Sequence, residues 1–410
     1  MKGFFDKLRP LFSKGGKLHM FHSVFDGFET FLLVPNSTRR TGVHVHDSAD
    51  SKRLLIMVVI ALIPAMLWGM YNLGFQHYLA HNALEGTSWF TLWLYGFCAT
   101  LPKILVVYIV GLGIEFASAQ RHGTEIHEGF IVTGFLIPMI VPVETPLWTL
   151  AIATAFAVIF AKEVFGGTGY NIFNVAIVAR AILFFAYPTK MTGSDVFVRT
   201  SSTWGIGANG ALIDGFSGAT PLGQVATAVG NKMPDIHNII GEPLTRMDAF
   251  WGFIPGSMGE VSTFCILLGG LLLLLTGVAS YKIVVGGLVG ALGMTLLFNA
   301  IGTTPAMNMP FVDHLLFGGF LFGLVFMATD PVTSARTERG KWYSGLFVGV
   351  ICVFIRVLNP GYPEGMMLAI LLMNVFSPLF DYFVIDSNIK MRRKRALRAQ
   401  QAIAASKNAN

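Results

Sequence analysis

The chain has 410 residues, 53% of them hydrophobic and only 13% charged. A soluble domain carries roughly 25% charged residues, so the composition points away from a soluble fold and towards an all-α polytopic membrane protein. The formal net charge of +6 gathers at the two ends of the chain, and beside so many apolar stretches it argues against nucleic acid as a partner. Cys98, Cys265 and Cys352 stand far apart without a Cys-x-x-Cys. That argues against a structural disulfide, a zinc ribbon or an iron–sulfur cluster held by this chain alone, and no residue set reads as a metal site.

In chain order, residues 1–53 form a charged N-terminal segment with no apolar core and small-residue cleavage site, so no cleavable signal peptide is expected. Phe4, Phe5, Leu8, Leu11 and Phe12 make a helical apolar stripe among Lys2, Lys7 and Arg9, the pattern of an interfacial helix, which Pro10 weakens. Apolar stretches of membrane-spanning length then number about ten. They fall at 54–72, 92–117, 129–142, 147–164, 171–187, 260–278, 281–301, 312–329, 342–358 and 364–385. The third is short. Pro102-Lys103 interrupts the second, as a kink or as its true start.

Lysine and arginine set the orientation. They crowd the segment before the first span and the tail after the last, which includes Lys390, Arg392, Arg393, Lys394, Arg395 and Arg398. The connections near 73–91, 143–146 and 302–311 carry none. Both termini are therefore expected in the cytoplasm, with loop 188–259 outside. The expected organisation is a segment 1–53, five helices over 54–187, the outer loop 188–259, five helices over 260–386 and a basic tail 387–410. Trp148 precedes Lys162 by the interval that separates Trp342 from Arg356, and each stretch follows a Gly-Phe-Leu, at 134–136 and 319–321. Two five-helix halves related this way would form inverted repeats around a central site.

The outer loop holds the most informative run, Asp214-Gly215-Phe216-Ser217-Gly218-Ala219-Thr220. No base beside Thr220 activates its hydroxyl, so it reads as an acceptor that another enzyme modifies rather than as a nucleophile of this protein. Gly215, Gly218 and Ala219 leave the backbone bare enough for that enzyme to close over it. Gly166-Gly167-Thr168-Gly169 follows a span, not a strand, and reads as a tight turn rather than a dinucleotide loop. Asn171 and Asn174 share a helix face just beyond it. Their amides suit either helix capping or a polar ring edge. Acids within spans are functional-site candidates by default. Asp381 and Glu115 lie towards the expected inner side, Glu364 at the opposite face, and Asp330 before Pro331 at a turn. Salt bridges to Lys162, Arg180 or Arg356 are the alternative for each.

The Asp-x-x-Ser-Gly-Ala-Thr run resembles the site where a flavin transferase esterifies FMN onto threonine through its phosphate. Four more stretches carry the same resemblance: Lys162–Gly169, Ile254-Pro255-Gly256-Ser257, Met327-Ala328-Thr329-Asp330-Pro331 and Asn359–Met367. Together they resemble the B subunits of sodium-translocating NADH:quinone oxidoreductases. The related D subunits of Rnf-type ferredoxin:NAD oxidoreductases typically lack an N-terminal extension like residues 1–53.

The resemblance implies a redox-driven sodium pump in the bacterial inner membrane. Electrons from NADH would pass through partner subunits (A, C, D, E and F) to covalent FMN on Thr220, then to non-covalent riboflavin and ubiquinone, with Na+ exported. It also implies a periplasmic flavin transferase recognising Asp214, Ser217, Gly218 and Ala219, and makes Asn171 and Asn174 riboflavin contacts. It points ubiquinone to Glu128, Gly129, Phe130 and Gly111, although Leu112 replaces a second glycine familiar from that region, and it makes Asp381 and Glu115 the sodium-path candidates. A passive channel or solute transporter is the reading from a different class, and covalent flavin discriminates it. Topology is testable first. Reporter fusions after residues 45 and 395 should score cytoplasmic and one near residue 210 periplasmic. A cytoplasmic score at 210 would break the span count and the flavin attachment together.

Overall fold

A computed structural model describes residues 2–12, 16, 18, 22, 24–25, 29, 51–122, 129–192, 196–202, 205–207 and 217–409. The helix of the N-terminal segment, α1 (Lys2–Phe12), is present with Pro10 near its end. Then come α2 (Ser51–Ala80), α3 (Trp89–His122), α4 (Phe130–Ile140), α5 (Leu147–Ala161) and α6 (Val175–Ala186). Two short helices, α7 (Pro221–Thr227) and α8 (Arg246–Trp251), lie in the long connection. The second series is α9 (Thr263–Leu275), α10 (Tyr281–Ile301), α11 (Phe311–Leu316), α12 (Phe320–Phe326), α13 (Glu338–Leu358) and α14 (Met366–Ala409). Among the described residues the only bridge of β type joins His237 to Pro243.

All ten expected apolar segments carry helix, but ten full crossings are not confirmed. Among the described residues, six helices are long and apolar enough to cross a membrane. The 11 residues of α4 cover only about 16 Å of a hydrocarbon layer roughly 30 Å thick, and α6 and α9 are scarcely longer. The first span continues to Ala80 and the second runs unbroken through Pro102 from Trp89. The last helix continues through the basic tail to Ala409.

The segment expected as one span over 312–329 is broken at Phe317–Gly319. Gly318 and Gly319 both take positive φ, 62° and 55°, which ends α11 and restarts the helix as α12. Such a break in an apolar interior leaves carbonyls without partners. Arg356 of α13 supplies them. Its guanidinium donates to His314 O at 2.6 Å, to Phe317 O at 3.1 Å, to Gly318 O, and to Glu364 O at 2.9 Å. Lys103 of α3 does the same beyond the end of α4, donating to Pro142 O at 2.5 Å and Val143 O at 2.6 Å. Both cations are buried.

The neighbour scheme of the first series recurs in the second. Helix α3 packs on α5, α5 on α6, and short α4 on α3 and α6. Likewise α10 packs on α13, α13 on α14, and short α12 on α10 and α14. The first helices of the two series, α2 and α9, pack on each other, as do the last, α6 and α14. Trp148 and Trp342 thus lie on corresponding helices, α5 and α13.

The α10–α13 seam is closely packed. A Cβ on Gly349 would stand 2.0 Å from Gly287 O, and one on Gly345 2.3 Å from Ile283 O. Small residues let the two backbones touch, the usual device where lipid offers no hydrophobic contrast. Gly349→Leu should cost about 1–3 kcal/mol of overpacking and lower the thermal midpoint of the detergent-solubilised protein. Gly293→Leu, where a Cβ meets nothing within 4 Å, should leave that midpoint unchanged.

Candidate functional site

A cavity of about 160 Å³ opens where α2, α4 and α6 begin and α9 and α12 end. Leu55, Val132, Leu273 and Phe326 give it apolar walls, while Gly129, Lys162, Asn171, Asn174 and Asp330 bring the polar groups. Asn174 caps α6, its Oδ1 accepting N–H groups of Ala176 at 3.1 Å and Ile177 at 3.4 Å. The capping reading of this residue is therefore realised, and it also lines the cavity. Asn171 Nδ2 donates to Phe173 O at 3.0 Å, and its amide oxygen accepts no hydrogen bond among the described residues. Asp330 holds the turn before α13, accepting from Val332 N–H at 3.0 Å and Thr333 Oγ1 at 3.2 Å.

Gly111 and Phe130 meet directly. A Cβ at Gly111 would lie 1.8 Å from Phe130 Cζ, so only glycine lets that buried ring lie against α3. Gly129 is also covered, though less tightly, its Cβ position 2.6 Å from Thr168 Cγ2. Lys162 Nζ sits 5.9 Å from the Phe130 ring centroid, a cation–π distance. The same ammonium pairs with Glu115, with both side chains buried. Glu115 is thus engaged by the alternative partner that the sequence left open for it. Glu128 lies outside the described residues.

Asp381, the other acid proposed for sodium, faces the start of α13. It accepts the N–H of Arg336 at 2.8 Å and of Thr337 at 2.9 Å, and the Thr337 hydroxyl at 2.5 Å. It therefore ties α14 to the capping turn of α13. Glu364, expected at the opposite face, is buried and pairs with Arg180, one of the alternative partners the sequence offered.

The motif in the long connection lies on a different part of the bundle. Asp214 falls outside the described residues. Ser217 is exposed, Gly218 buried, and Ala219 and Thr220 half-buried. Thr220 is the N-cap of α7, its Oγ1 accepting Gly223 N–H at 3.2 Å, with Pro221 in the favoured first helical position. Gln224 ties this turn down, donating to Ala219 O at 3.2 Å and to His237 O at 2.8 Å. Helix α7 seats Leu222 against Gly318 at the α11–α12 break, where a Cβ would stand 2.1 Å from Leu222 Cδ1. The structure thus brings Gly111, Phe130, Gly129, Asn171 and Asn174 into one region and leaves Thr220 beyond Arg356. The motif reading missed the part played by Lys103, which stood out only as a neighbour of Pro102. It also missed Glu260, an acid at the very edge of an apolar stretch.

Apolar helices in two matching series, some too short to cross and broken around buried cations, define a polytopic membrane protein with a site built between its short helices. The chain belongs to the NQR2, RnfD, RnfE family, which its residues 38–390 match. It is 43% identical to the B subunit of the Na(+)-translocating NADH-quinone reductase of Klebsiella pneumoniae, over 96% of this chain and 99% of that one. The protein of the same name from Pseudomonas paraeruginosa is 43% identical with the same coverage. That from Neisseria meningitidis is 42% identical over 97% of this chain and 99% of its own.

The Glu115–Lys162 pair gives a direct test of the site's electrostatics. Glu115→Ala strands a buried ammonium and should destabilise by about 3–5 kcal/mol. Adding Lys162→Met should recover most of that loss in thermal unfolding. Equal midpoints for the single and double variants would show that the pair is not coupled.

Proposed function

We propose that this chain is the B subunit of a sodium-translocating NADH:quinone oxidoreductase. In that role it carries electrons that originate from NADH, through FMN esterified to Thr220 and a non-covalent riboflavin, to ubiquinone, coupled to Na+ export. The observation that carries the reading is the near-full-length match to proteins of that name. The run ending in Thr220, half-buried at the start of α7, adds to it. In this reading residues 188–259 face the periplasm, where a flavin transferase reaches Thr220. Both termini lie in the cytoplasm, and the chain assembles in the inner membrane with the A, C, D, E and F partners of the complex.

Flavins accept and pass electrons singly or in pairs, which suits a step between a two-electron donor and a quinone. The residues around the sites fit their proposed occupants. Thr220 presents its hydroxyl at the start of α7, on a turn that Gln224 keeps rigid. Asn171 and Asn174 put amide groups at the edge of an apolar cavity, as the rim of a planar ring needs. Gly129 lines that cavity, and Gly111 and Phe130 pack beside it, making ubiquinone their proposed ligand. Asp381 and Glu115 supply hard oxygen atoms for sodium, in competition with the partners they hold.

The test is intact mass. The wild-type chain should exceed its sequence mass by one FMN less one water, and Thr220→Ala should lose that increment entirely. Losing the cap should also cost about 1 kcal/mol locally. Thr220→Ser keeps the cap and serves as the folding control. A Thr220→Ala chain that retains the flavin mass would overturn the attachment site.

A further inference from the structure

A second cavity, about 30 Å³, lies deeper in the bundle, between α4, α6 and α12 and the segments preceding α9 and α14. Its lining includes Arg180, Glu260, Glu364 and Tyr362. These come from positions far apart in the chain. Arg180 donates to Glu364 in a buried ion pair. Glu260 is 6% exposed, and its Oε1 accepts Ser257 N–H at 2.8 Å. Its other oxygen lies towards Gly319, where a Cβ would stand 2.7 Å away.

The charges do not balance. Two carboxylates share one guanidinium, because Arg356, the other cation nearby, directs its donors to carbonyls and meets Glu364 only through its backbone oxygen. Behind Glu364, Cys352 contributes a weak sulfur contact to that same oxygen at 3.9 Å. A carboxylate in so dry a place cannot keep an uncompensated charge. One positive charge must accompany Glu260.

An independent observation indicates where that charge sits. The Tyr362 hydroxyl is buried, lines the same cavity, and has no hydrogen-bond partner among the described residues. A buried hydroxyl without a partner signals something that belongs beside it. The space has room for about one small species. Two carboxylates and a hydroxyl offer it hard oxygen atoms.

We propose that this cavity is a binding site for one monovalent cation of sodium size, which competes with a proton on Glu260 and takes the Tyr362 hydroxyl as a further oxygen ligand. The sodium-pump reading above enters only in the choice of ion. Binding here needs no flavin and no turnover. The exchange balances: Na+ enters as Glu260 releases H+ to water, and the net charge of the cluster is unchanged.

The experiment uses the oxidised, assembled complex in weakly buffered solution, titrated with sodium chloride against choline chloride at equal ionic strength. Wild-type should release protons in a saturable, sodium-specific way, approaching one per chain. Glu260→Gln should abolish that component, and Tyr362→Phe, which removes one atom, should raise the sodium concentration for half-release several-fold. Intact mass on the same samples reports covalent flavin, so failure of the flavin reading and failure of the cation site are separately visible. Absence of sodium-specific release in wild-type would overturn the proposal, as would equal release in Glu260→Gln. Should Glu260→Gln not assemble, Tyr362→Phe and Glu260→Asp decide. Wild-type half-release in both means that neither group binds the ion.

Discussion

The arrangement depends on one interaction, a guanidinium placed among backbone carbonyls. Helices in lipid satisfy their own backbone, and a helix interrupted in the interior does not. Arg356 meets the carbonyls of His314, Phe317 and Gly318 at the break and Glu364 O beyond it, holding the α11–α12 break and the segment before α14 in one frame. A lysine would offer three donors from one point and could not fan out over the same set. Leu222 of α7 packs against Gly318 in the same frame, so the Thr220 turn is positioned by the break as well.

Lys103 solves a smaller version of the problem at the end of α4. Between these two anchored ends lie the short helices that line both cavities. Short helices bring polar groups into the apolar layer, including Asn174 at the start of α6 and Glu260 just before α9. Full-length helices would keep such groups at the membrane faces. The glycines of the α10–α13 seam do the opposite work, letting two long helices approach until backbone touches backbone. The bundle thus combines a tightly packed frame with interrupted elements that carry the polar chemistry.

The acids of the interior differ in how they are held. Glu115 has Lys162, Glu364 has Arg180, and Asp381 has two backbone N–H groups and a hydroxyl. Each is committed to a partner that an ion would have to displace. Glu260 has a single N–H from Ser257 and no cation of its own. With Arg180 committed to Glu364, Glu260 is left without an ion pair of its own among the described residues.

Much was legible in the sequence because hydrophobicity and charge act locally. The apolar stretches located helices, and the run ending in Thr220 marked a turn whose hydroxyl now caps α7. The Trp148 and Trp342 spacing marked helices that do occupy matching places. Helix lengths were less legible. Pro102 leaves α3 unbroken because neighbouring packing supports it, whereas Gly318-Gly319 splits an equally apolar stretch, and hydropathy scores the two alike. The pairing of Arg180 with Glu364, 184 positions away, and the reach of Arg356 to four carbonyls were beyond sequence reading, since no local pattern says which distant group a buried charge will find. Composition and local pattern determined that this chain lives in a membrane as helices, with a polar turn at Thr220 in the long connection. Only the tertiary structure decided which helices stop short, because the carbonyls beyond α4 and at the α11–α12 break are satisfied by cations from distant helices, Lys103 and Arg356.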